Sequence, residues 1–144
     1  MNGIGFFGKL PATGDFVARG LEPGLRPFLD QWLTGNFAQR AQTPDDWPEN
    51  GYRAIVKWNK IWLVLLILPS NDKAGRKFPL AVCRTTHSAP DRQSADRWCD
   101  AIHFQAQKAI ADGINANDLI TAFTGMPLPD INPDKNAKQE QIWP

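Results

Sequence analysis

The sequence predicts an α/β fold, a three-layer α-β-α sandwich with a mixed sheet, from three observations. The run Ile61 to Leu68 is apolar at every position, so Ile61, Leu63, Leu65 and Ile67 would face one side of a strand and Trp62, Val64, Leu66 and Leu68 the other. A strand of an open antiparallel sheet alternates apolar with polar, whereas this one needs cover on both faces. At least two segments with helical apolar spacing supply that cover. Asn59 and Lys60 join the run to the preceding strand, and a two-residue hairpin there makes those neighbours antiparallel, so the sheet is expected to be mixed and not purely parallel. A two-layer α+β domain is the alternative.

The elements follow in chain order. Met1 to Leu10 alternates, with Ile4, Phe6 and Leu10 on one side and Gly5, Phe7 and Lys9 on the other, and reads as a first strand closed by Pro11. Ala12, Thr13, Gly14 and Asp15 form a turn before Phe16 and Val17. Gly14 there suggests a positive φ or a close backbone approach, and Asp15 could accept hydrogen bonds from turn amides. Leu25, Phe28, Leu29, Trp32, Leu33 and Phe37 are spaced as one face of a helix, with Pro23 and Pro27 suited to its beginning. Residues 41–51, with Pro44 and Pro48, read as a loop whose Trp47 packs back onto the domain.

Tyr52 to Trp58 is the strand preceding the central run. Pro69 ends that run, Ser70, Asn71, Asp72 and Gly75 supply turn chemistry, and Phe78 to Thr85 forms the next strand. A polar connection from His87 to Gln93 leads to a helix N-capped at Ser94, with Ala95, Trp98, Cys99, Ile102, Ala106, Ala109 and Ile110 on one face and Gly113 as its stop. A short helix capped at Asn117 presents Leu119, Ile120 and Phe123. Residues 1–125 are thus expected to be a single domain and 126–144 a Pro-rich extended tail, pinned by Trp143 or free to bind a partner.

Composition narrows the function. The chain has 144 residues, sixteen Lys and Arg against fifteen Asp and Glu, and a net charge of +1 with the signs interspersed, which favours neither nucleic acid nor an anionic membrane as partner. The apolar run is far short of the roughly 20 residues of a membrane helix. No basic segment followed by an apolar core marks a signal peptide, so the cytoplasm is the expected compartment. Cys83 and Cys99 lack metal-ligand or CxxC spacing and read as buried hydrophobes.

An enzyme would have to be built from Lys9, Asp15, Ser70, Asp72, Arg76 and His87, but neither His87 nor His103 has a nucleophile at recognisable spacing. No phosphate-binding loop, nucleophile elbow or zinc-binding helix motif is present, and no cofactor is expected. Asp72 is expected to cap its own turn while Arg76 holds the loop closed. Arg76 is either a buried ion-pair partner or an exposed anchor for a partner. Trp32, Trp58, Trp62 and Trp98 fall on core faces, whereas Trp47 and Trp143 are the candidates for partner contact.

Two segments go beyond generic pattern. GFFGKLPATGDFVARGL, Gly5 to Leu21, and LPSNDKAGRKFPLAV, Leu68 to Val82, resemble the two signature stretches of the TagF family, also called ImpM, of type VI secretion-associated proteins. The resemblance is close over residues 3–85. It implies, independently of the pattern argument, a three-layer sandwich in a bacterial cytoplasmic accessory protein, a post-translational repressor of secretion that binds a forkhead-associated scaffold protein. The bet residues for partner binding are Lys9, Asp15, Asp72, Arg76 and Trp47. The other reading of the residues is an enzyme or sensor for a phosphorylated or anionic ligand that uses Asp15, Asp72 and Arg76.

Overall fold

Six strands and three α-helices make up the structure, a computed structural model that describes residues 3–144. Met1 and Asn2, which the sequence places in the first strand, lie outside the described residues. In chain order the elements are β1 (Ile4–Gly8), β2 (Val17–Arg19), α1 (Leu25–Phe37), β3 (Tyr52–Trp58), β4 (Ile61–Leu68), β5 (Leu80–Thr86), α2 (Arg92–Asp112), α3 (Ala116–Thr124) and β6 (Glu140–Trp143). The sheet order is β2-β1-β5-β4-β3-β6.

The class is α/β as expected, but the expected mixed sheet is corrected. All five strand pairings are antiparallel. A strand apolar on both faces reports cover on both faces, whereas strand direction is set by the connections. The β3–β4 and β4–β5 connections return directly without a crossover helix. The β3–β4 turn is the two-residue hairpin, Trp58 opposite Ile61, with Asn59 at φ 55° in the left-handed region such a turn requires.

The alternation of β4 sorts the interior into two clusters. Val64, Leu66 and Leu68 join Phe6, Leu10, Trp98, Ile102, Leu119 and Phe123, so α2 and α3 cover that face. Leu63, Leu65 and Ile67 join Phe7, Leu25, Leu29, Leu33 and Phe37, so α1 covers the other. Cys83 and Cys99 are free, buried and in different clusters. Burial pushes each thiol up to about 12, so both behave as apolar filler.

Both predicted caps shift. The α2 cap is Asp91, whose side chain accepts from Ser94 N–H at 2.6 Å, and the α3 cap is Asn115, which accepts from Asp118 N–H at 2.9 Å. In each case an Asp or Asn upstream reaches the free amide first, so Ser94 and Asn117 lie inside their helices.

The segment from Met126 onward is extended, but it is packed. Met126, Leu128 and Ile131 lie against the cluster under α2, and Asp91 N–H donates to Asn132 O at 2.6 Å. The chain then adds β6 to the β3 edge, with Trp143 opposite Arg53. Trp143 is buried and donates its indole N–H to Asp96 Oδ1 at 2.9 Å, so of the two expected arrangements, pinned by Trp143 or free to bind a partner, the structure has the tail pinned.

Candidate functional site

The two sequence stretches singled out above fold into a single corner, at the end of the sheet where β1 meets the β4–β5 loop. The approach depends on Gly8. Its φ is 142°, and a Cβ there would collide with the Pro79 carbonyl. Gly14, expected to have positive φ or a close contact, has neither: a Cβ at Gly14 would meet nothing within 4 Å.

Beyond Gly8, Lys9 turns its side chain into the protein and its ammonium pairs with Asp72 Oδ2 at 3.2 Å. Ser70 Oγ donates to Lys9 O at 2.7 Å, and Lys73 N–H donates to Thr13 O at 2.6 Å, so the two loops are laced through backbone and side chain alike. Beneath them lies an aromatic floor. Phe16 of the first loop stacks on Phe7 at 5.6 Å between centroids and meets Phe78 edge-on at 5.0 Å, while Lys9 Nζ lies 4.8 Å from the Phe16 centroid.

Asp72 is the hub. Its carboxylate is fully buried, and Oδ1 accepts from Ala74 N–H at 3.0 Å and Arg76 N–H at 2.9 Å. Oδ2 accepts from Lys9 Nζ and from Arg76 Nε at 2.8 Å. Burial pushes this carboxyl up, but the Arg76 amide, Lys9 and the Arg76 side chain outweigh it and hold the pKa at about 2. Four donors on two oxygens leave no accessible lone pair for proton transfer. Asp72 therefore caps its own turn, with Gly75 at φ 82° closing it.

Arg76 faces outward. Its side chain is 63% exposed even though Nε binds Asp72 and one terminal nitrogen donates to Gly14 O at 2.8 Å. Asp15 is exposed; its carboxylate accepts from the neighbouring Phe16 N–H at 2.7 Å and its carbonyl from Thr13 Oγ1 at 3.3 Å, whereas the Asp72 carboxylate is taken up by Lys9, Ala74 and Arg76. Trp47 stands apart: it packs on Phe37 and Tyr52 and donates its indole N–H to Arg40 O at 2.7 Å. Pattern reading also missed Lys73 and Lys77, both exposed on the same loop. The signal was their spacing around a buried acid, which leaves four cations against two carboxylates across the corner.

What fold and site define together is a small α/β domain with two loops cross-linked through a buried carboxylate and bearing exposed cations. Among the described residues no group of His, Cys, Asp and Glu is arranged to hold a metal ion, and no helix is long and apolar enough to cross a membrane. The chain belongs to the TagF N-terminal domain family, type VI secretion system-associated, whose sequence pattern matches residues 5–126. A search of curated proteins gave no match. The fold resembles the crystal structure of PA0076 from Pseudomonas aeruginosa PAO1, with a TM-score of 0.68 and 24% identity over 89% of this chain and 64% of that one. This chain thus spans less than two-thirds of the length of PA0076, and at that identity the likeness concerns the fold.

Proposed function

We propose that the protein is a non-catalytic cytoplasmic accessory of type VI secretion that restrains the system after translation by binding a forkhead-associated scaffold protein. The observation that carries this reading is the saturation of Asp72. The acidic residue an enzyme would need is consumed in holding the two loops together, while Arg76 remains presented to solvent. The family membership supplies the secretion context. The partner-facing residues are Arg76 and Asp15, with Lys9 and Asp72 setting their geometry, and Trp47 lies on a neighbouring surface.

Deleting the chain in its host tests this. Secretion activity should rise, and re-expression of the wild-type chain, but not of Arg76→Ala, should restore restraint. Unchanged secretion after deletion would overturn the reading. An anionic ligand that raised the melting temperature, with the rise lost in Asp15→Ala, would favour the ligand-sensing reading instead.

A further inference from the structure

Arg84 carries a charge that nothing in the fold answers. It lies near the end of β5 that faces Ile4, whereas Leu80 at the other end faces Gly8 and the loop corner. Alternation along β5 puts its side chain on the face of Leu80 and Val82, which α2 and α3 cover, and leaves it half-buried. One terminal nitrogen donates to Pro129 O at 3.3 Å, and Nε is buried without an acceptor. The ion pairs among the described residues take in Lys9, Arg53 and Arg76, and none includes Arg84. A guanidinium drawn out of water without a counter-charge costs stability, and an anion supplied from outside offsets that cost.

Arg84 opens on a hollow of about 340 Å³ whose walls differ in chemistry. Thr86, His87 and Ser88 continue the donor side, and the side chains of His87 and Ser88 are exposed and make no hydrogen bond among the described residues. Thr86 Oγ1 donates to Ser88 O at 2.8 Å, which holds the bend that presents them. Ile131 and Pro133 form the apolar side. That side is fixed, because Asp91 N–H donates to Asn132 O and Asp134 N–H to Ala89 O, each at 2.6 Å. No described carboxylate lines the hollow. Of the acids in the bordering segments, Asp91 caps α2, Asp134 accepts from Asn136 N–H, and Asp130 forms no ion pair with Arg84.

We propose that this hollow binds the phosphate monoester of a small organic molecule. Arg84, His87 and Ser88 supply donors to the phosphoryl oxygens, since a fork of N–H groups flanked by a hydroxyl and an imidazole suits a tetrahedral oxyanion. The ester group rests on Ile131 and Pro133. The site stands at the opposite end of β5 from the corner assigned to the scaffold, so it is independent of that reading.

The test titrates the isotope-labelled full chain with phenyl phosphate and, separately, with inorganic phosphate at constant ionic strength, and follows the N–H resonances. Phenyl phosphate is expected to shift the Arg84 Nε–H and the amides of Thr86, His87 and Ser88 along a saturable curve. Inorganic phosphate, which has no ester group for the apolar side, should need roughly threefold or more higher concentration. Arg84→Met keeps an unbranched buried stem and removes the unanswered charge, so it is expected to fold and to bind roughly tenfold or more weakly. His87→Ala, at an exposed position, should weaken binding in the same direction. A linear response that does not saturate, full affinity in folded Arg84→Met, or shifts confined to the loop from Lys73 to Lys77 would overturn the proposal. Equal affinity for the two phosphates would overturn the ester assignment. Should Arg84→Met not fold, full affinity in a chain with His87→Ala and Ser88→Ala together would overturn it instead.

Discussion

Asp72 shows how a single side chain decides between chemistry and architecture. Its native pKa of about 2 lies below the ordinary 3.8, so the unfolded chain binds more protons in that window. The stabilisation is therefore complete above about pH 4 and is lost as pH falls through the native value. Asp72→Asn is expected to lower the melting temperature at neutral pH by several degrees, because Lys9 is left buried beside a neutral group. Its further loss between about pH 4 and about pH 2 should be smaller than that of wild type, which thermal scans across pH would read. Arg76→Ala should behave differently. With most of its side chain in water, its truncation is expected to cost about 1 kcal/mol or less in denaturant titration, which makes it a clean probe of binding. Gly8→Ala should cost roughly 2 kcal/mol or more by the same measurement, since a left-handed φ and a carbonyl collision coincide there.

At the scale of elements, α2 is set by its first turn. Asp91→Ala should destabilise by about 1 kcal/mol with an unchanged denaturant slope, because it removes the acceptor for Ser94 N–H. The α1 range, the hairpin at Asn59 and the two faces of β4 were all legible in the sequence, because each is written in a local period or turn residue. Strand direction was not, since it depends on which connections return and which cross. Nor were β2 and β6: each is too short for alternation to register, and each is defined by the strand it joins, Phe6 facing Arg19 and Arg53 facing Trp143. At the site, the capping of Asp72 followed from its turn, whereas its pairing with Lys9 spans loops far apart in sequence and needed the fold.

In the whole molecule, helices on both faces hold a sheet whose one end carries the laced loops of the two signature stretches. That corner spends its buried acid on bonds between its own loops and keeps Arg76 at the surface, and side chains already held in place lose less conformational entropy when a partner docks. In the proposed function the corner is the surface that binds the scaffold. The most direct test is calorimetric titration of the purified chain into the forkhead-associated scaffold protein of the same host, with Arg76→Ala alongside. Saturable binding by the wild type is expected, with a loss of roughly tenfold or more in affinity for a variant that remains folded. Binding that the variant retains in full, or no binding by a folded wild-type chain, would contradict it.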